Sequence, residues 1–195
     1  MAEPRIVDPH DPVMTGENSF VRLSHDAGNT IPERVSHWRV LWSPVGQGHV
    51  AYMESTLLGA KPKIYADNAA VARFLQRTIE LMLHQPFADL SLPITEAKFE
   101  RTGNSLSCVE ERITSAKDAI VLAWWDFMSP FVLTMPPGAM NRPLGVYSTF
   151  IPARSAQLTV NGQVAPGKVF PQERGGRASS SCVLAWSETW VKPRG

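Results

Sequence analysis

A mainly β fold, an antiparallel barrel or strongly curved sheet with one packed α-helix, follows from three features of the sequence. Segments rich in β-branched and aromatic residues alternate in polarity from residue 36 onward. Asn-Gly-type turns join neighbouring segments. One stretch alone, 67–83, repeats with the period of a helix. About nine strands linked mostly by hairpins leave two edges, and closure into a barrel removes them.

The chain has 195 residues, the size of one domain. Its hydrophobic fraction of 44% suffices for a core and excludes a disordered chain. Lys plus Arg total 19 and Asp plus Glu 18, so no nucleic acid or anionic membrane is expected as partner. There is no apolar run of about 18 residues and no apolar signal core at the N-terminus, so the expected location is cytoplasmic. Cys108 and Cys182 read as small buried hydrophobes rather than a disulfide. Lys168, Arg174 and Arg177 are the nearest approach to a basic cluster and read as a solvated loop.

Residues 1–30, with Pro4, Pro9, Pro12, Gly16 and Gly28, read as an irregular arm with one short strand at 20–23. The barrel domain then runs 31–195. Segments 36–42 and 49–58 form a hairpin across a loop at 43–48. For the helix, Asp67 is the expected N-cap. Val71, Phe74, Leu75, Thr78, Ile79 and Met82 form its apolar stripe, with Arg73, Arg77 and Glu80 on the wet side. Strands 94–102 and 105–114 flank Gly103-Asn104, and Ala116-Lys117 turns the chain into 118–128. Pairing outward from these turns places Ala97, Phe99, Leu106, Cys108, Glu110, Ala123, Trp125 and Phe127 on one face. Lys98, Val109, Glu111, Leu122, Trp124 and Asp126 fall on the other. A short strand at 130–135 precedes a proline-rich loop at 136–143, expected over a barrel mouth. Strands follow at 144–151, 155–160 and 163–169, the last two around Asn161-Gly162. A loop at 171–180 leads into the final strand, 182–191.

That final strand carries the main functional signal. Simple alternation puts Trp186, Glu188 and Trp190 on one face. If that face is interior, the Glu188 carboxyl has a raised pKa, as an acid or base working near neutral pH requires. The alternative is a wetted carboxylate.

Tryptophan-rich antiparallel strands with inward acids resemble lipocalin-like (calycin) barrels. Their bacterial relatives that bind or rearrange terpenoid and polyketide-like molecules are the nearest comparison. The resemblance implies a barrel and a cavity; no residue's role is taken from it.

The expected site therefore combines Glu188 with Glu110 or Asp126 as partner acids. Glu110 has the alternative of an ion pair with Arg112 or Arg101, and Asp126 that of capping the turn at Ser129-Pro130. Trp38, Trp42, Tyr52, Trp125, Tyr147, Trp186 and Trp190 are the expected pocket lining, with ordinary core as the alternative. Tyr147 or Tyr52 would orient an oxyanion. The spacing of the histidines builds no metal site. Without a dinucleotide fingerprint, a phosphate loop or a Gly-x-Ser-x-Gly elbow, no cofactor is expected. The function expected is binding of a small apolar or aromatic molecule, with cofactor-independent isomerase, lyase or hydratase chemistry. A non-catalytic carrier and a protein-interaction module are the alternatives, and a homodimer stays open.

Overall fold

The computed structural model describes residues 10–195 and shows a closed barrel of nine strands with one helical segment on its outer wall. In chain order the strands are β1 (His10–Leu23), β2 (Glu33–Trp42), β3 (Gly48–Glu54), β4 (Lys63–Ala66), β5 (Ile94–Asn104), β6 (Cys108–Ser115) and β7 (Ala119–Phe127). There follow β8 (Phe131–Met135), β9 (Gly145–Val160), β10 (Gln163–Val164), β11 (Pro171–Arg174), β12 (Arg177–Ser180) and β13 (Val183–Pro193). Around the barrel the order is β9-β13-β1-β2-β3-β4-β5-β6-β7, and β7 closes onto β9. β4 and β5 are the one parallel pair of the ring, joined by a crossover through the helical segment at 69–83. The architecture is consistent with a lipocalin-like barrel.

Several elements differ from the sequence reading. Residues 10–23 are not an irregular arm but a barrel strand between β13 and β2; residues 24–30 form a loop as expected, and residues 1–9 lie outside the described residues. Gly16 explains part of the misreading. A Cβ there would lie 2.2 Å from the Arg39 carbonyl oxygen, so a glycine that looks like a loop signal is a close strand crossing. Asn68, not Asp67, caps the helix, accepting from the Ala70 and Val71 amides. Asp67 instead accepts from the His49 backbone and ring. The β6–β7 register follows the Ala116-Lys117 turn as expected, with Glu110 opposite Ala123. The β5–β6 register does not: Asn104 pairs with Cys108 around three loop residues, so Phe99 faces Ile113. This odd shift moves Ala97 and Phe99 to the face of Val109, Glu111 and Trp124. The 171–180 loop is a second small hairpin, β11–β12, turning at Gly175-Gly176.

Three apolar clusters result, the smallest being Phe20, Phe150, Val183 and Ala185 against Phe131 and Leu133 of β8. Inside the barrel, Val21, Val35, Met53, Tyr65, Ile113, Leu122, Trp124, Leu158 and Leu184 pack together. Outside it, Met14, Trp38, Val50, Tyr52, Ile64, Val146 and Trp190 meet Val71, Leu75 and Ile79 of the helix. The barrel is thus filled over much of its length, and the helix covers a second apolar surface on the outer wall.

Candidate functional site

The site is built by two local irregularities. The first is a bulge in β13. Trp186 pairs with Thr149 of β9, but Thr189 pairs with Tyr147, so the strand carries one extra residue. Ser187 takes it up in the left-handed region, at φ 51°. Trp186 therefore points into the barrel, while Glu188 and Trp190 point out under the helix. The expected shared face of Trp186, Glu188 and Trp190 is corrected by this bulge.

The second is a wide π turn at Gln76–Glu80, between α1 (Ala69–Leu75) and a short α2 (Leu81–Leu83). At about 100° per residue an unbroken α-helix would put Glu80 half a turn from Val71, on the wet side. The π turn inserts a residue and rotates Glu80 onto the wall, where it is 0% exposed. The solvent-facing assignment of Glu80 is thereby overturned.

Two buried carboxyls result, each held by an indole. Trp190 Nε1 donates to Glu188 Oε1 at 2.6 Å. Trp38 Nε1 donates to Glu80 Oε1 at 2.6 Å, and Ser36 Oγ donates to the same oxygen at 2.7 Å. Glu80 Oε2 has no partner. The two indole rings lie 6.4 Å apart. Burial pushes the Glu188 pKa up to about 8; the indole and the nearby Ser148 hydroxyl oppose this, and the Glu80 charge adds to it. Burial likewise pushes Glu80 up to about 7, against the pull of Ser36, Trp38, Arg22 and Arg34.

Both acids line a cavity of about 90 Å³ between the barrel wall, the helix and β8. At roughly 15 Å³ per water that is room for about six waters, or one small ring with a substituent. Phe87, Leu133, Met135, Val146 and Phe150 supply an apolar lining. Arg22, Arg34, Arg142 and Arg174 line it as well. Arg174 thus belongs to the pocket and not to a solvated loop. The 136–143 loop contributes Arg142 to this pocket.

The other expected site residues lie apart. Glu110 is on the outside of the barrel, ion-paired with Arg112 at 2.6 Å. Asp126 is exposed, 3.3 Å from Arg154. Trp42 and Trp125 are exposed on the surface. Tyr52 is buried under the helix, donating to the Ala72 carbonyl at 2.6 Å. Tyr147 is on the face of β9 opposite Val146 and Ser148, 3.5 Å from His10 Nδ1. Of the expected set, Glu188 and Trp190 line the pocket, and Trp38 holds its second acid. Cys108 and Cys182 are both free thiols, Cys108 exposed and Cys182 buried.

A second polar group sits in the barrel mouth, beside a half-open depression of about 420 Å³. Arg101 bridges Glu17, at 2.6 Å, and Glu111, and lies over the Trp186 ring. His37 is buried beside Phe99 and His49, with neither ring nitrogen bonded. Burial, with Arg101 nearby, holds its imidazole neutral. Though larger, this depression has its charges matched internally, which ranks it behind the pocket under the helix. Among the described residues no group of three or more His, Cys, Asp or Glu is placed to hold a metal ion.

Comparison with family models, with curated proteins and with solved structures finds no match. The functional reading rests on the geometry of this chain.

Proposed function

We propose that this is a cytoplasmic calycin-type barrel that binds a small, largely apolar or aromatic molecule between its helix and outer wall. In this reading it performs proton-transfer chemistry there without a cofactor. The supporting observation is the pair of buried carboxyls, Glu80 and Glu188, facing one apolar cavity. Near neutral pH the pair holds a proton that can be given to one atom of a bound molecule and a carboxylate that can take one from another. Isomerisation, hydration and elimination all need that combination. Glu80 takes the partner role expected of Glu110 or Asp126.

A deuterium-exchange assay tests this. Small aromatic ketones such as acetophenone are incubated with the protein in D₂O, and loss of the α-proton signals is followed by NMR. The expected result is catalysed exchange, abolished in Glu188→Gln while ketone binding survives. Binding with no exchange above the buffer rate would instead make the protein a carrier. A wild type that neither binds nor exchanges any ketone would overturn the proton-transfer reading.

A further inference from the structure

We infer that the pocket's ligand is an organic anion, a single small apolar body bearing one oxyanion group, held by Arg22, Arg34 and Arg174. This rests on the pocket under the helix being the binding site, as proposed above.

The argument is one of unmatched charge. None of the ion pairs among the described residues includes Arg22, Arg34, Arg142 or Arg174, although all four line the pocket. Two of them are held by aromatic faces instead. The Arg22 guanidinium lies 4.8 Å from the Phe20 ring centre. That of Arg174 lies 5.5 Å from Phe20 and 5.9 Å from Phe150. Stacking in this way leaves the N–H edges of a guanidinium free to bond in its plane. Arg174 gives one Nη to Gln172 Oε1 at 2.8 Å, while its buried Nε has no partner.

The nearby acids offset this charge only in part: against burial, the Glu80 charge raises the pKa of Arg22 and Arg34, and Glu54 that of Arg34. Glu54 is taken by His84 at 2.8 Å. Glu80 spends one oxygen on Ser36 and Trp38, and a single carboxyl cannot balance four guanidiniums. Arg34 and Arg174 both press the Arg22 pKa down, after burial itself, to about 10, so these cations repel one another while remaining charged at neutral pH. Like charges gathered in a partly apolar cavity are unfavourable without a counter-ion. A planar or tetrahedral oxyanion supplies one and accepts the forked donors.

The test compares charged and neutral ligands of one shape. Benzoate, phenylphosphonate and benzamide are titrated by calorimetry into wild type, Arg174→Gln and Arg22→Gln. The expected result is that an oxyanion binds at least about tenfold more tightly than benzamide and loses at least about tenfold in either variant. Benzoate against phenylphosphonate decides between a carboxylate and a phosphate-like group. Equal binding of all three, unchanged in the variants, would overturn the anion assignment and leave the pocket standing. Binding of none of them to the wild type would overturn both.

Discussion

Glu188 shows how a single position carries the account. Its carboxyl is buried and bonded by one indole N–H, and its pKa is raised from 4.5 to about 8. Because the folded value exceeds the unfolded one, the proton is held more tightly in the folded state. Below pH 4.5 both states are protonated and stability is at its fullest. Above it the unfolded carboxyl ionises first, and stability falls by up to about 1.4 kcal/mol per pH unit until the folded carboxyl also ionises. Glu80 adds a slope of the same sign up to about pH 7. Glu188→Gln, which cannot ionise, is therefore expected to be more stable than wild type at pH 8 and to flatten the pH dependence. Urea unfolding between pH 4 and pH 9 measures this. Arg101 gives a contrasting case. Its removal leaves Glu17 and Glu111 as partly buried carboxylates without their cation. Arg101→Met is expected to cost about 3 kcal/mol, read from the urea midpoint at pH 7.

At the scale of elements, β13 and the helix place the site, and both do so by departing from regular geometry. The β13 bulge needs a left-handed residue at Ser187. Ser187→Val is expected to destabilise by about 2 kcal/mol or to shift the strand and return Glu188 to the barrel side, since a β-branched residue resists that conformation. Ser187→Gly should be neutral or stabilising. Thermal unfolding ranks the three proteins, and Trp190 fluorescence reports whether the indole keeps its setting. These irregularities also explain what was legible in the sequence. Alternation and turn residues suffice for most strands from β2 onward, the β6–β7 register and the Asn161-Gly162 turn, but not for β1, the short β4 or the β11–β12 hairpin. The tryptophans beside Glu188 mark its strand as buried. The two faces of β13, however, are exchanged midway by one residue that alternation cannot locate. Glu80 is hidden because a π turn has no sequence signature here, and a regular period places it in solvent. Arg22, Arg34 and Arg174 come from three distant segments and become a group only when β1, β2 and β11 meet at the pocket.

For the whole molecule, a closed barrel packed along its axis provides a rigid wall, and the helix makes a second layer on it. The pocket lies between these layers, where two protonatable acids and four guanidiniums surround a small apolar space. An anion that fits should stabilise the fold by mass action, about 2.7 kcal/mol at a hundredfold excess over its Kd. A thermal-shift series with benzoate measures that gain, and Arg174→Gln should abolish most of it. The central claim, that two carboxyls stay protonated into the neutral range beneath the helix, is most directly tested by carbon-13 NMR titration of the glutamate side chains. Glu80→Gln and Glu188→Gln identify the two signals. The account predicts that these two titrate near pH 7 and pH 8. Titration of both near 4.5, the ordinary glutamate value, would contradict it.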